Sequence, residues 1–150
     1  MTTHELVTPT SPREWQAYHD IRRRVLFEER GQFGVYDENR PDEKAPNHYP
    51  KLLVHQGEPV GVVRIDIESD VAILRRVAIR TDVQRRGHGR TLLQLAQRFA
   101  EDAGCSRLAS HVTPSAVGFY QSFGFAIERN RGGGLSGHEP VFMTKQLAMR

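Results

Sequence analysis

Six residues, Gln84-Arg85-Arg86-Gly87-His88-Gly89, carry the densest chemistry in this 150-residue chain. They stand between a β-branched-rich run ending at Ile79 and an amphipathic stretch from Gly89 to Ala103. The first N–H groups of a helix have no intrahelical acceptor and carry about half a unit of positive charge. A glycine-bearing turn that enters a helix therefore holds a phosphate by its backbone. Arg85, Arg86 and Arg90 add to that field, and a pyrophosphate is the natural guest. The same glycines also permit a tight strand-to-helix turn with no ligand. The glycine spacing of this segment is neither Gly-x-x-x-x-Gly-Lys-Ser/Thr nor Gly-x-Gly-x-x-Gly, so it is not a nucleotide loop of those two kinds.

The elements that must position this loop are legible on either side. Leu6-Val7 before Thr8-Pro9 predicts a short first strand. Ser11-Pro12-Arg13-Glu14 combines an N-cap, a first-turn proline and a capping-box glutamate, so a helix follows, with Trp15, Tyr18, Ile21, Val25 and Leu26 on its apolar side and Gly31 as its stop. From Gln32 to Pro50 there is no sustained periodicity, which predicts a loop. Lys51 to His55, Pro59 to Ile67 and Val71 to Ile79, joined by Gln56-Gly57-Glu58 and Glu68-Ser69-Asp70, predict a β-meander. In the stretch from Gly89 to Ala103, Leu92, Leu93, Leu95, Ala96, Phe99, Ala100 and Ala103 form a helical stripe that Gly104 ends. Arg107 to Val112 is a strand, Thr113-Pro114 caps a short helix ending near Phe123-Gly124, and strands begin at Phe125 and run from Pro140 to Leu147. This alternation is a mixed α/β fold, and residues 1–150 are enough for a single domain.

With these elements in place, Leu74-Arg75-Arg76-Val77-Ala78-Ile79 followed by Gln84 to Gly89 resembles the coenzyme A signature of the GCN5-related N-acetyltransferases (GNAT), Gln/Arg-x-x-Gly-x-Gly/Ala. About thirty residues on, Ala116-Val117-Gly118-Phe119-Tyr120-Gln121-Ser122-Phe123-Gly124-Phe125 resembles that family's Ala-x-x-Phe-Tyr-x-x-x-Gly-Phe. The resemblance runs from about Lys51 to Leu147. It implies a mixed, mostly antiparallel sheet of about six to seven strands flanked by about four helices. The sheet would splay between the strand ending at Ile79 and Arg107 to Val112, with the pantetheine arm in the gap. Acetyl-CoA would be the cosubstrate and an amine, on a small molecule or a peptide, the acceptor, attacking directly in a ternary complex. The donor would be held by Val77, Ala78 and Ile79, by Gln84, Arg85, Arg86, Gly87, His88, Gly89, Arg90 and Thr91, and by Ser115, Phe119 and Tyr120. A non-catalytic acyl-CoA sensor of the same fold is the alternative.

Within that resemblance Tyr120 is the group to hydrogen-bond the departing thiolate, although it also reads as a core aromatic beside Phe119 and Phe123. His111, at the end of the strand leading to Thr113, is the preferred general base, since imidazole titrates near neutral pH. Asp66, Glu68 or a water are rivals, and for the two acids a surface ion pair with Arg64 or Arg75 is the other reading. Thr113 replaces the asparagine common in the family and keeps a side-chain capping role in front of Pro114. Gly118 marks either close approach of a ligand or loose packing. In the variable loop of about 32–50, Asp37-Glu38 and Asp42-Glu43, with His48 and Tyr49, either attract a cationic amine or balance Arg22, Arg23, Arg24 and Arg40. Arg131 to His138, with Gly132-Gly133-Gly134, is a flap or a plain flexible connection.

Bulk properties narrow the partners. Lys and Arg number 21 against 18 Asp and Glu, a net charge of +3, which suits a local anion site better than nucleic acid. The apolar runs are far shorter than the roughly 20 residues a membrane span needs, and the start of the chain reads as no secretory leader, so a cytoplasmic monomer or homodimer is expected. The single cysteine, Cys105, reads as a small buried residue. No pair among the seven histidines has metal-ligand spacing along the chain, and no metal is expected.

Overall fold

The computed structural model describes residues 3–41, 45–128 and 140–147. Strand β1 (His4–Val7) leads into helix α1 (Pro12–Leu26). The start of α1 is set by the capping box: Ser11 Oγ accepts the Glu14 N–H at 3.1 Å, and Glu14 Oε1 accepts the Ser11 and Thr10 N–H groups, each at 3.0 Å. The α-helix stops five residues before Gly31, because Phe27 leaves helical geometry and Glu28–Arg30 tightens into a 3-10 turn. Gly31 then ends that turn in the left-handed region at φ 80°.

The meander forms as β2 (His48–His55), β3 (Glu58–Glu68) and β4 (Val71–Ile79), with β2 starting three residues before its expected boundary. A 3-10 turn, Thr81–Val83, leads to α2 (His88–Asp102), then come β5 (Arg107–Val112), α3 (Val117–Ser122), β6 (Ala126–Ile127) and β7 (Val141–Gln146). The seven strands make one sheet in the order β1-β2-β3-β4-β5-β7-β6. Every neighbouring pair is antiparallel except β4 and β5, which are parallel because α2 carries the chain back across the sheet between them. Among the described residues three α-helices flank the sheet, against the expected four or so; Gln32 to Pro41 holds no further α-helix. No helix among them is long and apolar enough to cross a membrane. The Arg131 to His138 flap and Asp42-Glu43 lie outside the described residues.

Side-chain alternation sorts the two faces. On one, Leu53, Val63, Ile65, Ala72, Leu74 and Leu108 pack against Leu92, Leu93, Ala96 and Ala100 of α2, and against Tyr120, Phe123 and Phe125 in and after α3. On the other, Leu52, Val62 and Ala78 meet Tyr18 and Ile21 of α1. Each fully buried leucine contributes roughly 1.5–3 kcal/mol. Leu92 and Leu93 therefore anchor the helix whose N-terminus the phosphate-binding loop supplies.

One irregularity separates the two halves of β4. The β3–β4 register runs Arg64↔Arg75 and then Val62↔Ala78, so Val63 faces the two residues Arg76 and Val77. Arg76 takes up the extra length in the left-handed region, at φ 55°. Beyond this bulge Gly61 lies against β4, where an added Cβ would stand 3.0 Å from the Ala78 carbonyl oxygen.

The hydrogen bonds from the Ser11 and Thr10 backbone pull the Glu14 carboxyl from 4.5 down to about 2. A depressed folded-state value means the stability it confers is present above pH 4.5 and is lost as pH falls toward 2. Glu14→Gln should therefore lower stability at pH 7 in urea unfolding, with the gap to the parent narrowing as pH drops through that window. A gap independent of pH would contradict the capping assignment.

Candidate functional site

The sheet opens where β4 and β5 part. Their parallel register covers Val71↔Arg107 through Leu74↔Ser110 and ends there, although β4 continues to Ile79 and β5 to Val112. The bulge at Arg76 lies immediately beyond, and the extra twist of a bulged strand carries β4 away from β5. Val77 to Ile79 thus keep β3 on one side and have no paired strand on the side of β5. At the crotch, the Ser110 hydroxyl donates to the Leu74 carbonyl at 3.2 Å, a side-chain rung where the backbone ladder stops.

The phosphate-binding loop stands at the far end of the open stretch. Gln84 Nε2 donates to the Ile79 carbonyl at 3.0 Å and ties the loop to the end of β4. Arg85 and Gly87 both have positive φ, 66° and 86°, and Gly87 is the N-cap of α2. The first intrahelical bond is Thr91 N–H to Gly87 carbonyl, so the N–H groups of His88, Gly89 and Arg90 have no helical acceptor. A Cβ placed on Gly87 meets nothing within 4 Å, which leaves that side of the loop clear, and Arg85 and Arg86 are exposed beside it. Arg90 leans over the Phe123 ring, 5.6 Å from its centroid, and Phe119 lies against Gly89. Orphan amides, an open glycine, exposed arginines and an unpaired strand suit an anionic ligand with a long arm. Thr91 turns its hydroxyl back to the Gly87 carbonyl at 3.1 Å, and Ser115 is exposed on the turn before α3.

Tyr120 is buried, its ring edge-on to Phe119 and Phe125, so it is a core aromatic in its body. Its hydroxyl is directed toward Ser110 at the crotch. Burial pushes the Tyr120 phenol up, and the Ser110 contact offsets this in part, so the phenol stays protonated through neutral pH and acts as a donor. Ser110 was not singled out from sequence. Its alternation with His111 on β5 was the available signal, since it places the two on opposite faces.

His111 is exposed at the same level and packs against Phe142, ring centroids 5.0 Å apart. It thus flanks the opening from the face of α1, whereas Tyr120 flanks it from the face of α2 and α3. The Asp66 ion pair is buried, not at the surface as expected. Oδ1 accepts Arg64 Nε at 2.8 Å, and Oδ2 accepts Arg64 Nη2 and Arg75 Nε, each at 2.9 Å. Alternation on β3 puts Arg64 and Asp66 on the same face as Val62, which packs against α1. Two guanidinium groups thus occupy both oxygens of this carboxylate. Glu68 is exposed at the β3–β4 turn, paired with Val71 at the end of β4 remote from the opening.

Three further placements bear on the sequence reading; for Gly118 both readings stand. Thr113 occupies an N-cap position by its backbone, but its hydroxyl makes no capping bond, because a 3-10 turn closes Ala116 N–H onto the Thr113 carbonyl at 2.9 Å. Gly118 faces open space, with nothing within 4 Å of an added Cβ. The His88 side chain turns away from the loop's anion face and is buried against His4 and His55. Separations of 51 and 33 residues hid that cluster in the sequence. Pairing of β1 with β2 sets His4 opposite His55, and the start of α2 brings in His88.

A cavity of about 350 Å³ lies between α1, the segment after it and the bulge. Arg22, Arg40 and Arg76 line it with Asp37, Tyr36 and Phe27. The described lining is therefore richer in arginine than the acidic run Asp37-Glu38 and Asp42-Glu43 suggests from sequence.

Comparison with known proteins bears on this geometry. The sequence profile described as the Acetyltransferase (GNAT) family matches residues 6–125. A Bacillus subtilis (strain 168) protein, provisionally named an acetyltransferase, is 29% identical over 142 residues, 91% of this chain and 92% of its own length. A crystal structure from Lactobacillus plantarum, provisionally named an N-acetyltransferase, superposes with a TM-score of 0.80 at 26% identity, covering 98% of this chain and all of that one. The PaiA N-acetyltransferase of Thermoplasma acidophilum, crystallised with coenzyme A, shares the fold at 15% identity and a TM-score of 0.72, covering 97% of this chain and 100% of its own. A parted pair of parallel strands, a glycine turn into a helix and a family match over most of the chain agree, and the chain belongs to the GNAT family of acetyltransferases.

Proposed function

We propose that the protein transfers an acetyl group from acetyl-CoA to a primary amine by direct attack while both are bound. The observation that carries this reading is the parting of β4 and β5 after Leu74↔Ser110, immediately beside an α2 N-terminus with three orphan amides. The donor's pyrophosphate is assigned to the N–H groups of His88, Gly89 and Arg90 with Arg85 and Arg86, and its arm to the open edge of Val77 to Ile79. An N–H on that edge has no strand carbonyl to donate to, so it donates to the acetyl carbonyl and polarises it as an oxyanion donor does.

Attack by the neutral amine forms the carbon–nitrogen bond and breaks the carbon–sulfur bond, leaving a thiolate and an amide nitrogen with one proton too many. That proton passes by way of the base and solvent to the sulfur, so the products are the amide and the free thiol. A free amine near pKa 10.4 is neutral in only about one molecule in a few thousand at pH 7, so proton removal is part of the barrier. His111 takes that proton, directly or through a water, from the face of α1. Tyr120 donates a hydrogen bond to the thiolate from the other face. With a phenol raised above its ordinary value of about 10 and a thiol near 8.5, full transfer from Tyr120 is uphill, and the hydrogen bond is its contribution. The acceptor is assigned to the cavity of about 350 Å³ beside Arg76.

Three variants separate these roles, with thiol release from acetyl-CoA measured over a panel of amines. Tyr120→Phe should lower kcat about 10- to 100-fold, the worth of one hydrogen bond to a developing charge at roughly 1.5–3 kcal/mol, with little change in the KM for acetyl-CoA. An unchanged kcat reduces Tyr120 to packing. Arg85→Ala with Arg86→Ala should raise the KM for acetyl-CoA and weaken the salt dependence of its binding, leaving the KM of the amine nearly alone. His111→Gln should slow turnover at neutral pH with acetyl-CoA binding intact; a parental rate from pH 6 to 9 removes His111 as base. Tight binding of acetyl-CoA with no thiol release for any amine would indicate a sensor and not an enzyme.

A further inference from the structure

Behind the phosphate-binding loop three imidazoles meet that the chain order keeps far apart. His4 and His55, opposite each other on β1 and β2, stack with ring centroids 4.1 Å apart and planes 22° apart. His88, the first residue of α2, stands 5.1 Å from the His4 ring and 4.9 Å from the His55 ring, and its Nδ1 lies 2.9 Å from His4 Nε2. One ring nitrogen from each histidine falls within 4.8 Å of the other two. His88 is buried and the other two are half-buried, so protein closes the cluster on one side and an ion can reach it from the other.

This spacing fits a metal better than it fits core packing. Around a tetrahedral zinc with bonds of about 2.0–2.1 Å, ligand nitrogens stand about 3.3 Å apart, a value between the closest contact and the outer limit seen here. Small rotations about the side-chain torsions bring all three into range. Three polar rings facing one another without a carboxylate can share at most single protons, and they leave lone pairs over. An ion uses those lone pairs. His55 has the partner that a metal ligand usually has: its Nδ1 is 3.1 Å from the Thr3 hydroxyl, and with Nδ1–H donated there, Nε2 is left bare. Burial, followed by the nearby His55, lowers the pKa of both His4 and His88. The His4–His88 contact adds for His4 and Arg86 for His88.

We propose that His4, His55 and His88 form a three-histidine site for a divalent late first-row transition-metal ion, zinc foremost, with a fourth position open to solvent. Imidazole-only donors select such ions over magnesium or calcium, which take oxygen ligands. The bound ion ties β1 and β2 to the first residue of α2 and so holds the helix end that faces the loop. It is a structural or regulatory ion for the acetyl transfer and takes no part in the bond changes. Its influence on donor binding rests on the function proposed above; the existence of the site does not.

The test uses the untagged chain stripped with a chelator, without acetyl-CoA. Zinc is titrated by calorimetry and cobalt by visible absorption. One zinc per chain at micromolar affinity or tighter, the intense visible bands of four-coordinate cobalt, and a melting temperature that climbs with zinc concentration are expected. His55→Gln and His4→Gln, each checked by far-ultraviolet circular dichroism in the absence of metal, should weaken zinc by at least about 100-fold and abolish the cobalt bands, since a first ligand matters no less than the supporting groups whose loss costs 10- to 100-fold. Two positions are tested so that poor folding of one variant leaves the other. Binding that fails to saturate below millimolar zinc, or that is the same in either folded variant as in the parent, overturns the proposal: the three rings then pack and hydrogen-bond with each other only. Because these readouts need no donor or acceptor, they stand apart from any failure of the acetyl-transfer reading.

Discussion

Backbone hydrogen bonding along β4 is the constraint on which the rest of this structure turns. A central strand must satisfy N–H and C=O groups on two edges, and β4 does so for four residues against β5 and then stops. The bulge at Arg76 stores the change of direction, the Ser110 hydroxyl serves the last carbonyl before the gap, and α2, held down by Leu92 and Leu93, presents its unpaired amides at the other end. A left-handed conformation at a residue with a long side chain costs about 1–2 kcal/mol. Glycine would relieve that cost, so Arg76 holds this conformation against local backbone preference. Arg76 also lies along the cavity under α1 and within cation–π distance of Phe27, 5.7 Å from its ring centroid.

The two faces of the sheet divide the electrostatics. On the side of α2 and α3 the groups near the gap are a buried, neutral phenol and aromatic rings, a low-dielectric setting in which a single donated hydrogen bond is worth more than in water. On the side of α1 lie His111, the buried Asp66 with Arg64 and Arg75, and an arginine-lined cavity. Removing Arg64 would leave the buried Asp66 carboxylate with only the half-exposed Arg75 as guanidinium partner, so the Arg64–Asp66 pair ties β3 down just before the bulge. A rigid floor under one half of β4 and an open edge on the other half is what separates positioning from binding.

Much of this was legible in the chain because local chemistry and tertiary structure agree. The capping box before α1, the alternating strands of the meander, the apolar stripe of α2 and the glycine loop each follow from the residues that form them, and the pairing of two motifs pointed to the parted sheet. What stayed hidden depends on contacts distant in sequence. The bulge falls on an arginine, a residue type that gives no sign of positive φ. Ser110 matters only because β5 lies beside Leu74, and the three histidines meet only once β1, β2 and α2 are assembled. Thr113 shows the opposite case: a good capping residue in front of a proline whose hydroxyl is not used, because the turn that follows is 3-10 and closes on a backbone carbonyl.

The central claim is that the gap after Leu74 and the start of α2 together receive the acyl donor. Titrating uniformly nitrogen-15-labelled protein with acetyl-CoA and following backbone amides by NMR addresses it directly. The expected result is that saturable shifts concentrate on Val77, Ala78 and Ile79 and on His88, Gly89 and Arg90, with the β1–β2 edge and the Glu68 to Val71 turn little changed. Shifts centred on that far edge, or on α1, with the amides of β4 and α2 unmoved, would contradict it.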